Sequence, residues 1–315
     1  MWPNFVRLCA MRKAALAAIE SLMRTNESVV FVGSDLGAGT LAEAARKYPG
    51  RVMMEGIAEQ HLVGFAAGLA LEGYVPYVHT IGTFLTRRAL EQVMIDVALH
   101  NLPVRLVASG GGMVYAPLGP THQAIDDFAL MRVVPNMLVA APADPAEMTQ
   151  LIHDLAEYPG PAYIRVGKGG EPDVTSGLKD SVIGAFRPIR EGVGLAVLTT
   201  GSLLHECIQA VDTVAVMGCP SALFHVPFLA PLDIQTVDSL ARDFDVVVIV
   251  EEHVPTGGLT TAVSEIIATR VERARVVRLS LPAAYASAYG SQQEHLVNHG
   301  LTAPGIVASI IANYP

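Results

Sequence analysis

Charge is scarce in this 315-residue chain: 16% of residues are Asp, Glu, Lys or Arg, while 51% are hydrophobic. That balance excludes a disordered or polar-linker protein. Positive charge is the scarcer sign, with 21 Lys and Arg against 30 Asp and Glu, a net of −9 at pH 7. Without a Lys/Arg cluster, neither nucleic acid nor an anionic membrane surface is expected as a partner. Cysteine is rare too. Cys9, Cys207 and Cys219 are odd in number and far apart, which predicts reduced thiols in a cytoplasm rather than a disulfide framework. Long apolar runs are missing: one of the longest, Leu62–Leu71, is half of the roughly 20 residues a membrane span needs. The start of the chain, Met1–Ala18, has Arg7, Arg12 and Lys13 within its apolar stretch and does not read as a signal peptide. No internal repeat or low-complexity segment stands out.

The apolar residues that are present are patterned. Val29–Val32, Val75–His79, Val104–Ser109, Met137–Ala140 and Ala162–Val166 have strand character. Between them Met11–Arg24, Ala58–Leu71, Phe84–His100, Ile125–Val133 and Pro145–Glu157 repeat apolar residues at helical spacing. After a Gly/Pro/Asp/Ser-rich stretch, Gly167–Gly184, a second series begins. Strands at Gly194–Thr200, Ser221–Val226, Val246–Val250 and Val276–Leu279 alternate with helices at Ser202–Met217, Ile234–Asp243 and Gly258–Thr269. Such alternation predicts two open, mostly parallel α/β sheet domains in series, residues 1–180 and 181–315. Their excess apolar surface must be buried inside the fold or against another subunit.

In open α/β sheets ligands gather beyond the carboxyl ends of strands, so the residues just after each strand carry the interest. Asp35 follows the first strand, either contacting a ligand or capping a turn. Glu59 opens the most apolar helix. One reading buries it, which raises a carboxyl's pKa and suits proton donation; the other leaves it in water, favoured by the helix dipole. Phe84 follows Gly82-Thr83 and can stack on a heterocycle or simply fill core. His122, in the Gly119-Pro120-Thr121-His122-Gln123 turn, can donate to a substrate oxygen or be structural. Arg165 and Lys168 end the first series as anion contacts or solvated charge. His295 and His299 are four apart without accompanying carboxylates or thiols and read as surface residues.

The order of short motifs along the chain resembles the C-terminal half of transketolase. It runs Gly56-Ile57-Ala58-Glu59-Gln60-His61, Gly68-Leu69-Ala70-x-x-Gly73-Tyr74-x-Pro76, Thr83-Phe84, Gly119-Pro120-Thr121-His122-Gln123, Met131-Arg132-x-x-Pro135-Asn136-Met137 and Pro142-Ala143-Asp144. Pro231-Leu232-Asp233 and Glu251-Glu252-His253 with Gly257-Gly258-Leu259 continue it. The resemblance implies a pyrimidine-binding domain for thiamine diphosphate (ThDP) followed by the transketolase C-terminal domain. It implies that Glu59 is the activating glutamate, bonding N1′ of the aminopyrimidine and favouring the imino tautomer that deprotonates the thiazolium. It implies that Phe84 packs on the pyrimidine, that His122 bonds the ketol oxygens of the donor, and that Asp35 lies near the cofactor at a subunit interface. The reaction implied is transfer of a two-carbon ketol unit from a ketose donor to an aldehyde acceptor.

The Gly-Asp-Gly motif with a downstream Asn, which holds the diphosphate and Mg²⁺ in such enzymes, does not occur here. The resemblance therefore implies a split enzyme whose partner subunit brings that motif and the Mg²⁺ ligands, as an α2β2 assembly. Three departures bear on substrate. Leu118 stands where sugar-phosphate transketolases have an Asp, Gly110 where they have a His, and Lys168 where they have a phosphate-contacting Arg. Each lost contact to a charged group removes about 1.5–3 kcal/mol, so a less hydroxylated or less charged substrate is expected. The rival readings are the beta subunit of a 2-oxo acid dehydrogenase, a deoxyxylulose-phosphate-synthase-like enzyme and, from another class, a non-catalytic assembly subunit.

Overall fold

The computed structural model describes residues 11–37, 39–167, 169–178, 182–271 and 274–315. The chain divides into two compact units, Met1–Gly110 with Val134–Leu138 and Pro142–Asp180, and Gly111–Val133 with Val139–Ala141 and Ser181–Pro315.

In the first series, α1 (Met11–Thr25), β1 (Val29–Gly33), α2 (Ala42–Lys47), β2 (Val52–Met54), α3 (Glu59–Leu71) and β3 (Val75–Ile81) follow in order. A π-helical turn, Phe84–Arg88, then leads into α4 (Leu90–Gln92) and a second π-helical stretch, Val93–Ala98. After these come β4 (Arg105–Ser109), α5 (Asp127–Arg132), β5 (Leu138–Ala140), α6 (Pro145–Asp154) and β6 (Ala162–Val166). The second series comprises β7 (Arg187–Arg190), β8 (Leu195–Thr199), α7 (Leu204–Val216), β9 (Ala222–His225), β10 (Phe228–Ala230), α8 (Ile234–Asp243), β11 (Val246–Glu251), α9 (Leu259–Ile267), β12 (Arg275–Ser280), α10 (Gln292–Asn298) and α11 (Ala303–Asn313).

Two mostly parallel sheets result, ordered β10-β5-β6-β4-β3-β1-β2 and β12-β11-β8-β9-β7. The pairs β1/β2, β1/β3, β3/β4 and β4/β6 are parallel, so β1 to β4 end on one edge. β1, β4, β6, β8 and β11 are buried along their whole length, the mark of parallel strands covered on both faces. The antiparallel members, β10 and β7, sit at the sheet ends.

Buried polar groups tie the elements together. Arg105, fully buried in β4, donates to the carbonyls of Leu155, Gly160 and Tyr158; burial brings its pKa down to about 10. Asp144 caps α6 through the amides of Ala146 and Glu147, both at 3.0 Å. It also accepts from Val174 N at 2.7 Å, Thr175 N at 2.6 Å and Thr175 Oγ1 at 2.7 Å.

The helix expected over Phe84–His100 is instead broken into π-helical and short α-helical pieces, with Ala89 at φ −103°, ψ 14° between them. An extra residue in a helical turn has this effect and is common at functional sites. His295, expected on the surface, is buried in α10, and its ring lies 6.4 Å from that of His299.

Candidate functional site

In the first unit the carboxyl edge of the parallel strands gathers Asp35, Glu59, Phe84 and Gly110. Glu59 is the first residue of α3 and is only 1% exposed. The helix brings the carboxylate to an N-terminus, where the peptide dipoles favour negative charge. Thr80, on the neighbouring β3, donates its hydroxyl to Oε1 at 3.2 Å. Arg88 donates from Nη1 to Oε2 at 2.6 Å. Of the two readings the sequence leaves open, the structure takes burial and adds this cation, which compensates the charge that burial strips of water.

Phe84 begins the π-helical turn, half-buried, and the Arg88 guanidinium lies 4.4 Å from its ring centroid. One arginine thus touches both the candidate acid and the candidate stacking aromatic. The Thr83 hydroxyl beside them is buried without a hydrogen-bond partner. Asp35 is exposed and accepts from the Ser34 hydroxyl at 3.1 Å. Its loop is pinned by His79 of β3, whose Nδ1 donates to Leu36 O at 3.1 Å while Nε2 accepts from the Ser109 hydroxyl at 2.9 Å. The carbonyl can only accept, which fixes this neutral tautomer. Burial drives the His79 pKa down to about 4. Gly110 is buried at φ +86°, a conformation suited to glycine, and donates to Val166 O at 2.8 Å. Arg165 is buried in β6, whereas Lys168 lies outside the described residues.

In the second unit, His122 and Leu118 lie on a loop closed at its neck. Gly112 N donates to Ala124 O at 2.8 Å and Ala124 N returns to Gly112 O at 3.0 Å. Leu118 is 54% exposed; His122 is half-buried with Nδ1 2.9 Å from Thr121 Oγ1. Glu252, buried, grips the neck: Met113 N donates to Oε1 at 2.7 Å and the Gln292 amide lies 3.0 Å from both oxygens. A Cβ on Gly112 would fall 2.4 Å from the Glu252 carboxyl carbon, so this contact requires glycine.

Several of the motif residues turn out to be joints. Arg132 donates to the carbonyls of Gly257 and Gly258 at 2.5 and 3.2 Å, bringing two motifs together. Glu251 caps α9 through Leu259 N at 2.7 Å and Thr260 N at 3.0 Å. Asp233 caps α8 through Thr236 N at 3.0 Å. The motifs alone did not single out Arg88 and His79 as site neighbours, or Glu252 as the support of the His122 loop.

Two parallel α/β units, the first holding a buried carboxylate and a partly open aromatic at its strand ends, define a protein of the class that binds ligands beyond the carboxyl edge of a sheet. The chain belongs to the transketolase family. Residues 8–171 match the transketolase pyrimidine-binding domain and residues 184–306 the transketolase C-terminal domain. It is 39% identical over 297 residues to 1-deoxy-D-xylulose-5-phosphate synthase 1 of Geobacter metallireducens, covering 93% of this chain and 47% of that protein. It therefore spans about half the length of such relatives. One subunit of the apulose-4-phosphate transketolase of Actinobacillus succinogenes is 33% identical over 279 residues, 89% of this chain and 90% of that one. A solved structure described as a split gene transketolase, inactive beta4 tetramer, superposes with TM-score 0.89 at 32% identity, covering 97% of this chain and 98% of that chain.

Proposed function

We propose that this chain is the pyrimidine-binding subunit of a split, ThDP-dependent transketolase-type enzyme that moves a two-carbon ketol unit from a ketose to an aldehyde. The observation that carries the reading is Glu59, a carboxylate buried at the carboxyl edge of a parallel sheet with a half-buried aromatic in the same cluster. The residues present fit the pyrimidine half of the cofactor: Glu59 for a ring nitrogen, Phe84 for a ring face, and the unpartnered Thr83 hydroxyl for a polar edge. When bound, the cofactor supplies the nucleophilic carbon and the electron sink. Glu59 holds the proton exchanged with the ring nitrogen, and its burial keeps water from competing for it. His122 bonds substrate oxygens, from a loop whose neck Glu252 holds. Asp35 borders the cofactor at a subunit interface. Leu118, Gly110 and Lys168 stand where phosphosugar-reading residues would be, favouring a less hydroxylated or less charged substrate.

The diphosphate and Mg²⁺ are left to a partner subunit carrying Gly-Asp-Gly and Asn, in an α2β2 assembly in the cytoplasm. Ile57, Leu71, Ile95 and Leu99 of the first unit are each at least half exposed, apolar surface available for a partner chain to cover. The two-subunit reading draws support from the apulose-4-phosphate transketolase relative, itself one subunit of its enzyme, of which this chain covers 90%. Among the described residues no helix is long and apolar enough to cross a membrane.

Co-expression with the diphosphate-binding subunit, ThDP titration and coupled assays of ketose–aldehyde pairs test the proposal. Glu59→Gln should lower kcat by about 10²–10⁴-fold; unchanged turnover would support a non-catalytic assembly subunit instead. A second reading, decarboxylative condensation, draws on the 39% identity to a deoxyxylulose-phosphate synthase. CO₂ release from a 2-oxo acid with the same complex would select it, or a 2-oxo acid dehydrogenase, over ketol transfer.

A further inference from the structure

We propose that Arg88 occupies the slot meant for the cofactor's pyrimidine ring and must leave it for the ring to bind, an inference resting on the roles proposed above for Glu59 and Phe84. The guanidinium is flat and delocalised, so it can stack on an aromatic face while its N–H groups meet a carboxylate. Arg88 does both at once: its guanidinium carbon lies 4.4 Å from the Phe84 centroid, and Nη1 lies 2.6 Å from Glu59 Oε2. These are the two interactions assigned to the ring, stacking on Phe84 and hydrogen bonding to Glu59. While the guanidinium lies on that face of Phe84 no ring can stack there, and its ion pair competes with any other group for the Glu59 carboxylate.

The local structure lets Arg88 go. Its side chain is 43% exposed, whereas that of Glu59 is 1% exposed, so the long stem can turn toward water while the carboxylate stays in place. Buried Leu85 and Thr86 anchor the same π-helical turn, the Thr86 hydroxyl bonding Gly82 O at 2.9 Å. Without a ring in place, the ion pair spares the protein an uncompensated buried charge. Binding the ring gives that pairing up, and its loss is a tax on affinity, because apparent affinity falls with the fraction of molecules whose slot is open.

ThDP affinity of the assembled two-subunit complex, measured by titration calorimetry for wild type, Arg88→Lys and Arg88→Ala, tests this. Removing a partly exposed pair should tighten Kd by roughly 2- to 5-fold in Arg88→Ala. Arg88→Lys, which keeps the charge but loses the flat stack, should fall between. Equal or weaker binding by Arg88→Ala, with Lys again between, overturns the proposal and makes Arg88 a positioning residue that stays with Glu59 in the loaded site. Should Arg88→Ala not fold, Arg88→Gln and Arg88→Lys against wild type give the same ordering. If the wild-type complex binds no ThDP, the functional reading falls and this inference with it; binding in the wrong order overturns the inference alone.

Discussion

Acid should loosen the edge of the first unit through one buried imidazole. His79 has a pKa near 4 in the folded chain because burial disfavours its charged form, against 6.5 for a free histidine. The folded value is the lower one, so the unfolded chain takes up the proton first as pH falls. The stability contributed by neutral His79 is therefore complete above pH 6.5 and lost progressively as pH falls to 4. The full loss is about 3 kcal/mol, at 1.36 kcal/mol per pH unit. Between pH 7 and pH 5 the same linkage gives about 2 kcal/mol. Urea unfolding at pH 7, 6 and 5, with amide exchange read at Leu36 and Gly37, measures it. His79→Asn is the control, since its amide can still donate to Leu36 O but does not titrate. Other groups titrate in both proteins, so the difference between the two pH profiles isolates the imidazole. Parallel profiles for wild type and variant from pH 7 to 5 would refute the reasoning.

Asp144→Ala removes a helix cap and three further bonds from one buried carboxylate. It should cost about 3–5 kcal/mol in urea unfolding and speed exchange at the Val174 and Thr175 amides. Glu252→Ala leaves Met113 N and the Gln292 amide without their acceptor. A loss of about 2–3 kcal/mol is expected, with faster exchange at Met113 and Ala124 and a higher KM for the donor as the His122 loop loosens.

Legibility followed burial and length. β3 and β4 were readable from their β-branched runs, and α3 from an apolar stretch opened by an acidic residue. β2, only Val52–Met54, is too short to carry a period. β7 reads Arg-Pro-Ile-Arg, polar because it pairs on one side only, at the end of its sheet. α11 hides behind Pro304 and Gly305, which suggest a turn although proline is welcome in the first helical turn. Glu59 was visible because a carboxylate preceding ten apolar or small residues is chemically conspicuous. Arg88 was not, since its partner lies 29 residues earlier and only the π-helical turn brings the two together. His295 misled because its spacing to His299 says nothing about which helix face is covered.

The paired bonds between Gly112 and Ala124 make the intervening segment a lasso that is buried through Val114, Tyr115 and Ala116 and open only around its tip at Leu118. A change at Leu118, 54% exposed, therefore meets solvent rather than core. If Leu118 reads the substrate as proposed, preference would be altered at Pro117 and Leu118 alone, with the buried loop residues and Glu252 left as they are.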